Sequence, residues 1–459
     1  MIRLFKHYIS HAALFLALVD FCLLLAAAET AWVIRANQIG MEVDHIGNRL
    51  GQLLIFALLV QALAVAVGVY GAEALRSRRS AMAQLLVAFL LGAIFYSALA
   101  WLLPGMRSGA VHALGLGFIY LAFSRILLDI LVGEERFKRR LLVLGAGKWA
   151  QRIRELAARP GSRFVIVGIV AVNETERIIS DAIGREAINN LADFVCKMGA
   201  SEVVLALEER RNAVPLDDLL RIKTTGVRVS EFSSFLERET GRIDLDSVHP
   251  SWLIFSDGFS SGRRFSSMMK RLFDIVASSA LLLFAAPVIL LCGIMVKLES
   301  KGPVFYREVR VGQFGQRYTV FKMRSVQIEI EGEGRPIWAI KHDPRITVVG
   351  TFIRNFRIDQ LPQTWNVLKG EMSFVGPHPE RPEFVADVET QLSFYAQRHT
   401  VKPGITGWAQ VNYADGASME ASRHRLEYDL YYAKNYTPFL DMLILLQTIR
   451  ALLLPKGAC

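Results

Sequence analysis

The chain has 459 residues, 52% of them hydrophobic, and its mean hydropathy is positive. A chain of this length and apolar content is not a single small soluble domain; it allows two or three folded units and indicates lipid contact. The net charge of +10 is compatible with nucleic acid, anionic lipid or phosphorylated substrates, and the hydropathy favours a membrane over nucleic acid.

Four apolar runs fill the first third of the chain, at residues 12–34, 53–74, 82–103 and 111–132. Each has about the 20 residues that a helix needs to cross the hydrocarbon core. Buried helices of a large soluble protein are the alternative, which four recurrences of such charge-poor runs disfavour. Basic residues precede the first run and follow the second and the fourth, so the N-terminus and everything after residue 132 are expected to be cytoplasmic.

From residue 141 short apolar strands alternate with helical segments, including helices at 191–197 and 216–224. The alternation indicates a parallel sheet. Gly145 and Gly147 belong to a G-x-G-x-x-A turn, which in a Rossmann-like fold can place a pyrophosphate at a helix N-terminus. They are therefore candidate cofactor-binding residues.

The rest of this region fits a cofactor site poorly. Asn173 stands where the acidic residue that binds a ribose is expected, and no Tyr-x-x-x-Lys pair follows. NAD is therefore not expected, and a structural or regulatory Rossmann-like module is favoured. A membrane-bound nucleotide-sugar oxidoreductase that uses this domain is the alternative.

A further apolar run, residues 275–296, contains Pro287 and has basic residues on both sides. A crossing would leave one basic cluster outside, against the charge rule, and proline kinks a helix by removing a hydrogen bond. We therefore predict a broken, re-entrant helix that enters and leaves the same leaflet. The alternative is a fifth crossing, which would place the C-terminal domain outside the cytoplasm.

Residues 301–459 concentrate cations among apolar residues and turn-formers. Guanidinium and ammonium groups suit phosphate oxygens, so these cations are candidate ligands of a diphosphate, although a solvated basic surface would explain any one of them. An acidic, glycine-containing segment at 326–337 is either a mobile lid or a plain surface loop. The candidate phosphate ligands are Lys322, Arg324, Arg345, Arg354 and Arg357.

Residues 267–459 contain nine short blocks in a fixed order: KRLFD at 270–274, GPVFY at 302–306, FKMRS at 321–325, DPRIT at 343–347, DQLPQ at 359–363, NVLKG at 366–370, SFVGP at 373–377, KPGITGWAQV at 402–411 and YDLYY at 428–432. In the same order, these blocks resemble the bacterial sugar transferases, also called polyprenol-phosphate phosphoglycosyl transferases. The upstream regions resemble the long subgroup that starts exopolysaccharide repeat units.

The resemblance implies a two-step reaction at the bacterial inner membrane. Asp359, opening the family's acidic dyad, attacks the β-phosphate of a UDP-sugar, releases UMP, and passes the sugar phosphate to undecaprenyl phosphate. Magnesium is expected at Asp359 and Gln360. The sequence departs from the family at Gln360, usually glutamate, and at His378, usually arginine and here a candidate phosphate ligand. An active variant is favoured over a scaffold that has lost catalysis.

The sequence therefore predicts a multi-pass α/β membrane protein with a mainly α-helical catalytic domain. Its expected partners are a UDP-sugar, a polyprenyl phosphate and the membrane, but not nucleic acid; the identity of the sugar and the presence of a homo-oligomer stay open. The predicted parts are a four-helix transmembrane bundle (1–135), a Rossmann-like cytoplasmic domain (136–260), a re-entrant membrane helix (261–300) and the catalytic domain (301–459).

Overall fold

The structure is a computed structural model, and its described part is mostly helical with a parallel sheet of five strands. Two compact units account for nearly the whole chain, residues 8–240 and residues 241–451. Arg345 and residues 327–337 of the predicted acidic loop lie outside the described residues. These are 2–4, 7–9, 11–40, 46–70, 78–102, 110–132, 138–159, 162–172, 177–208, 216–248, 264–326, 346–413 and 418–453.

A helix forms at each of the four N-terminal apolar runs. They pack in a cycle, α1 against α2 and α4, and α3 against α2 and α4, because each has apolar residues on the sides that meet. Helices α1 and α2 are long and apolar enough to cross a membrane, whereas the described apolar parts of α3 and α4 are shorter. The elements are β1 (Ile2–Leu4), β2 (His7–Ile9), α1 (His11–Ile39), α2 (Ile46–Val67), α3 (Arg78–Leu102) and α4 (Ala110–Val132).

An ion pair links α1 to α4 within this group of helices. Arg125 of α4 donates to both carboxylate oxygens of Asp20 in α1, and the Tyr70 hydroxyl donates to the same carboxylate at 2.7 Å. Both charged side chains are almost fully buried. Mutual neutralisation lets the two charges persist where little water can reach them.

The remainder of the first unit is built around the parallel sheet, whose strand order is β5-β4-β3-β6-β7. Helices α6 and α7 confirm the helices predicted at 191–197 and 216–224. The elements are β3 (Arg139–Leu144), α5 (Lys148–Ala158), β4 (Phe164–Ala171), β5 (Ile183–Gly184), a 3-10 turn (Arg185–Ala187), α6 (Leu191–Lys197), β6 (Glu202–Leu205), α7 (Leu216–Thr224), β7 (Arg228–Glu231) and α8 (Phe232–Thr240).

The central strand β3 shows why this sheet is buried on both faces. Leu141 and Val143 belong to one hydrophobic cluster, and Leu142 and Leu144 belong to another. Side chains alternate along a strand, so the two clusters lie on opposite faces of the sheet. An uninterrupted apolar run is the pattern expected of a parallel strand covered on both sides.

The first helix of the second unit is the long helix α9, and two small sheets and six further helices follow among its described residues. β8 pairs with β9 antiparallel, and β10 pairs with β11 parallel. The elements are α9 (Arg264–Glu299), β8 (Phe305–Val311), β9 (Arg317–Met323), α10 (Val348–Asn355), α11 (Gln363–Lys369), β10 (Ser373–Val375), α12 (Pro382–Gln391), β11 (Gly404–Thr406), α13 (Trp408–Asn412), α14 (Met419–Asn435), α15 (Pro438–Leu453) and 3-10 turns at Gln313–Gly315, Ile358–Gln360 and Tyr395–Thr400.

Helix α9 has 36 residues and continues through Pro287, so the break predicted at this proline is not observed. It is the third helix long and apolar enough to cross a membrane. Residues at spacings of three, four or seven form one buried stripe along its length, whereas most of its other residues are exposed and apolar, with Phe284 exposed by 76%. The stripe is the face that α9 turns toward the rest of its unit. It consists of Asp274, Ser278, Ala285, Cys292, Gly293 and Val296.

The N-terminal part of α9 is tied to the unit by the KRLFD block. The Arg271 guanidinium donates to the Val367 and Leu368 carbonyls at 2.7 Å each, at the C-terminal end of α11. The Val367 carbonyl also accepts from the Gly370 N–H at 3.0 Å, so Arg271 adds to the C-terminal cap of the helix. Asp274 accepts from the Ser373 hydroxyl and the Phe374 N–H, which joins α9 to β10.

Candidate active site

Asp359 lies on a 3-10 turn that follows α10. Thr347 begins α10 by accepting a 2.9 Å hydrogen bond from the Gly350 N–H, and Arg357, just after its end, adopts a left-handed conformation with φ of 54°. A helix commonly ends with such a residue, although it is usually glycine. The reversal turns the chain at once into Ile358–Gln360 and presents the half-buried Asp359 side chain.

The Asp359 carboxylate is an unpaired acid in a basic setting. Among the described residues, none forms an ion pair with it within 4.0 Å. Burial raises its pKa above the usual aspartate value, and the positive charges of Lys322, Arg354 and Arg357 oppose that rise. The site thus holds a partly desolvated carboxylate on which three cations act.

Three of the predicted cations are therefore brought together with Asp359. Lys322 has the strongest effect of the three on the carboxylate, followed by Arg354. Arg354 Nε donates to the Ser325 hydroxyl at 2.8 Å, and most of the Arg354 side chain is exposed. Among the described residues, no other hydrogen bond holds the Arg354 guanidinium, so its remaining donors can meet an anionic ligand.

The hairpin β8–β9 carries a second cluster of charges beside Asp359. Tyr306 pairs with Lys322 across the hairpin, and side chains alternate along each strand, so Tyr306, Glu308 and Arg310 share a face with Lys322. Glu308 lies at the centre of the cluster: its carboxylate accepts from Arg310 at 2.6 Å, from Lys322 at 3.3 Å and from Arg381.

Three cations on one carboxylate leave an excess of positive charge in this cluster. Burial alone would raise the pKa of Glu308, but Lys322, Arg310 and Arg381 outweigh it and lower the pKa to about 2. Glu308 is therefore ionised at every physiological pH. Glu308 neutralises one of the three positive charges, and the remaining positive charge can attract a diphosphate.

His378 lies close to these cations but does not add to their charge. Burial, together with the charges of Lys322, Arg310, Arg398 and Arg425, lowers the pKa of His378 to about 3. The imidazole is thus neutral near pH 7, and its Nδ1 is 3.2 Å from the Gln410 amide nitrogen. It can take part in one neutral hydrogen bond where arginine would bring a charged fork.

A buried ion pair holds the segment that carries His378. Arg398 donates to the His378 carbonyl at 2.9 Å and to the Tyr395 hydroxyl at 2.5 Å, and it pairs with Asp429 at 2.8 Å. Asp429 belongs to the YDLYY block on α14. Through Arg398, that block holds the backbone at His378.

Arg324 is placed differently from the other predicted phosphate ligands. Its guanidinium donates to the Ser300 carbonyl at 2.8 Å, the Lys301 carbonyl at 2.6 Å and the Val296 carbonyl at 3.3 Å, and the residue is 4% exposed. These carbonyls lie at the C-terminal end of α9. The geometry makes Arg324 a helix cap, and it does not support the predicted phosphate contact.

Asn366 connects the strand that carries Lys322 to the helix that follows Asp359. It is fully buried in α11, accepts from the Phe321 N–H at 3.2 Å, and donates to the Thr319 carbonyl at 2.7 Å. The N–H and C=O of alternate residues point to the same edge of a strand. The Asn366 carboxamide therefore pairs with β9 as a neighbouring strand would.

Glycines in two blocks allow the backbones of β10 and β11 to approach closely beneath the site. A Cβ on Gly376 would lie 2.2 Å from the Lys402 carbonyl oxygen, and one on Gly404 would lie 2.1 Å from the Gly376 nitrogen. No larger residue fits at either position without a shift of the backbone. The SFVGP and KPGITGWAQV blocks thus form one packed layer.

The predicted cofactor turn is occupied by the chain itself. Gly145 has a φ of 118°, and a Cβ there would lie 2.3 Å from the Ala206 oxygen. At the start of α5, next to Gly147, the Lys148 N–H donates to the Glu208 carboxylate at 3.0 Å, and the Lys148 ammonium pairs with the same group at 2.9 Å. A carboxylate thus takes the position where the helix N-terminus would otherwise attract a phosphate.

Among the described residues, the site offers few protein ligands for a magnesium ion. Within the described ranges, no group of three or more His, Cys, Asp or Glu side chains could hold a metal ion. Asp359 and Gln360 are consecutive residues that carry a carboxylate and a carboxamide oxygen. Such a pair fits magnesium when the phosphates of a bound substrate supply further oxygens, which is how proteins commonly hold this ion.

Sequence reasoning missed Glu308 and Arg381 as members of the site. The available signal was the alternation of Tyr306, Glu308 and Arg310, which predicts one polar face on a strand. Nothing in the sequence indicates that this face meets Lys322, because the pairing depends on the register of the hairpin.

Comparisons with known proteins identify the family of this chain. The model of the bacterial sugar transferase family matches residues 265–455. The chain is 39% identical over 190 residues to the sugar transferase EpsL of Bacillus subtilis (strain 168), which covers 41% of this chain and 90% of EpsL. A match over nearly all of that relative means that this chain belongs to the bacterial sugar transferase family.

Two relatives have more specific names. The chain is 38% identical over 240 residues to the UDP-N-acetylgalactosamine-undecaprenyl-phosphate N-acetylgalactosaminephosphotransferase of Aeromonas hydrophila, which is 52% of this chain and 56% of that protein. It is 41% identical over 184 residues to the UDP-glucose:undecaprenyl-phosphate glucose-1-phosphate transferase of Klebsiella pneumoniae, or 40% of this chain and 39% of that protein. The matches thus span about half of one relative and less of the other.

Proposed function

We propose that this chain transfers a sugar-1-phosphate from a UDP-sugar to undecaprenyl phosphate, with Asp359 as the nucleophile, as the first membrane step of exopolysaccharide biosynthesis. One observation carries the proposal: Asp359 is half-buried, free of ion pairs among the described residues, and surrounded by Lys322, Arg354 and Arg357. Family membership and the names of the relatives supply the reaction class.

In the first step an Asp359 oxygen forms a bond to the β-phosphorus. The bond from that phosphorus to the bridging oxygen breaks, and UMP leaves with the oxygen. Carboxylates are weak nucleophiles, so the partial desolvation of Asp359 favours attack, and the nearby cations stabilise the charge that develops on the phosphoryl oxygens.

In the second step a phosphate oxygen of the polyprenyl phosphate attacks the same phosphorus. The bond to Asp359 breaks, the carboxylate is regenerated, and the sugar stays on the lipid as a diphosphate. The cations beside Asp359 hold both anionic substrates in turn. Bound magnesium, with Asp359 and Gln360 as its protein ligands, would supply further neutralisation of the diphosphate.

The contacts of α9 support its proposed re-entrant course. Its N-terminal part is bonded to α11 and β10, and its C-terminal end is bonded to Arg324 of β9 and, through Glu299, to the Val348 N–H of α10. These elements contact one another within one unit. Because both ends of α9 contact the same unit, we propose that the helix returns to the membrane face on which that unit lies.

We also propose that α1–α4 form a four-helix transmembrane bundle and that the sheet domain is Rossmann-like, within the domain limits derived from the sequence. Numbering the sheet strands in chain order gives 3-2-1-4-5, the order of the first five strands of a Rossmann fold. The proposed location is the bacterial inner membrane, with the catalytic domain in the cytoplasm, where nucleotide sugars are made.

A catalytically weakened scaffold is the second candidate, because two charges of the family pattern are missing. Gln360 brings no negative charge and His378 no positive one. The two losses cancel in net charge, and Asp359 with its surrounding cations is intact, which favours an active enzyme. The oxidoreductase alternative is disfavoured by the Glu208 carboxylate at the start of α5.

The proposal is tested by incubating the full chain in membranes with undecaprenyl phosphate, magnesium and a panel of UDP-sugars. UDP-N-acetylgalactosamine and UDP-glucose come first because they occur in the names of the relatives. We expect UMP and a labelled lipid with at least one donor, and neither from Asp359→Asn. Equal UMP release by that variant would refute the role of Asp359.

A further inference from the structure

Glu308 has a position that a simple phosphate-binding site does not explain. It is 8% exposed and lies among the cations expected to receive a diphosphate. A carboxylate there repels the substrate, and its burial costs free energy unless it is paired. Its presence requires a compensating role.

The contacts of Glu308 point to that role. One oxygen accepts from Lys322 at 3.3 Å and from Arg310 at 2.6 Å, and the other accepts from Arg381. Without an anchor, a lysine side chain samples many rotamers. Bound to Glu308, the Lys322 ammonium is held where it also acts on Asp359.

We propose that Glu308 is a positioning residue for the transfer reaction, because its carboxylate anchors the Lys322 ammonium beside Asp359 and the phosphorus it attacks. The inference rests on the proposed function. It adds that one buried carboxylate orders three cations into an array that meets the diphosphate as a rigid surface, so little reorganisation is needed during transfer.

The proposal has an electrostatic consequence for Lys322. Burial and the neighbouring Arg310 lower the pKa of Lys322 below the usual lysine value, whereas Glu308 and Asp359 oppose that change. Removing the Glu308 charge must therefore lower the pKa further. The other charged side chains on β8 and α11 near the hairpin, Arg307 and Lys369, lie over Phe321, whose side chain points to the opposite face. Among the described residues, the titratable or charged groups that share the hairpin face of Lys322 or act on its charge are Tyr306, Glu308, Arg310, Tyr318, Asp359 and His378.

The test compares Glu308→Gln with the wild type and with Glu380→Gln. The control removes a carboxylate from the same cluster, 3.9 Å from Arg310 and 3.6 Å from Arg425, and Glu380 has no ion pair with Lys322 among the described contacts. Competitive acetylation followed by mass spectrometry gives the pH at which Lys322 loses its proton. We expect Glu308→Gln to lower that pH by about one unit, as loss of an opposite charge at this distance does, and Glu380→Gln to leave it near the wild-type value.

Enzyme kinetics supply the second readout. In Glu308→Gln the alkaline limb of the pH profile of UMP release should shift to lower pH by the same amount as the Lys322 titration. The decrease in kcat should exceed the increase in KM. Glu308→Asp keeps the charge on a shorter arm, so it should keep the wild-type acetylation profile while losing kcat, and it serves if Glu308→Gln does not fold. Unchanged Lys322 acetylation in Glu308→Gln would overturn the inference. A wild type that releases no UMP would instead refute the proposed function, because acetylation does not depend on turnover.

Discussion

Asn366 offers the sharpest test of how the site is held together. In Asn366→Ala two backbone groups, the Phe321 N–H and the Thr319 carbonyl, lose the fully buried carboxamide that pairs with them, and the more exposed Glu371 carboxylate loses a 2.7 Å hydrogen bond. Each unsatisfied buried group costs about 1–3 kcal/mol, which suggests about 4 kcal/mol for the two. For a unit of about 200 residues this lowers the melting temperature by about 8–16 °C.

The matched control is Asn412→Ala. Asn412 is exposed on α13, and its side chain makes one 2.9 Å hydrogen bond to the Trp408 carbonyl, which water can replace. Its loss should change stability by less than about 0.5 kcal/mol. Both variants are heated in detergent, and the fraction that stays soluble is measured against temperature.

The same substitution should impair turnover below the melting transition. Phe321 precedes Lys322, so freeing the edge of β9 lets the ammonium move relative to Asp359. A displacement of about 1 Å can cost about 10²-fold in rate. If Asn366→Ala has the same melting temperature as Asn412→Ala and keeps wild-type turnover, the two hydrogen bonds do not couple the strand to the helix, and the reasoning fails.

Three further predictions concern individual residues. Because the pKa of Asp359 is raised, its buried charge destabilises the fold above that pKa, and Asp359→Asn should melt at or above the wild-type temperature at pH 7–8. The rate of the wild-type enzyme should fall on acidification at a pH above the ordinary aspartate pKa of 3.8. Gln360→Glu should lower the magnesium concentration that gives half-maximal UMP release by about 10-fold or more. Arg324→Met removes hydrogen bonds that cap α9, so it should lower the free energy of unfolding by about 2–3 kcal/mol and the melting temperature with it. The KM for the UDP-sugar should stay within about 2-fold of the wild-type value in the protein that remains folded. A large rise in KM would show that Arg324 contacts the phosphate after all.

Much of the fold could be predicted because local patterns decide it. The uniformly apolar run at Leu141–Leu144 marks a strand buried on both faces, and helices α6 and α7 follow their apolar periodicity. The short strand β7 was not predicted, because its few residues, RVSE, carry neither an apolar run nor a clear alternation. Tertiary pairing with β6 makes them a strand.

The chemistry of the site was harder to predict because it depends on long-range contacts. Lys322 and Arg324 stand two residues apart and look alike in the sequence, yet one acts on Asp359 and the other caps α9. His378 has a titratable side chain, but its neutrality follows from cations distant in sequence. The charge of a side chain is local information, whereas its partner and its pKa are properties of the fold.

A covalent adduct on Asp359 is the most direct measure of the central claim. The full chain is mixed with the donor found in the UMP assay, without polyprenyl phosphate, then digested and analysed by mass spectrometry. We predict a sugar-phosphate mass gain on the peptide that contains Asp359, lost when the lipid acceptor is added and missing from Asp359→Asn. Release of UMP with no such gain, or with the gain on another peptide, would contradict the account.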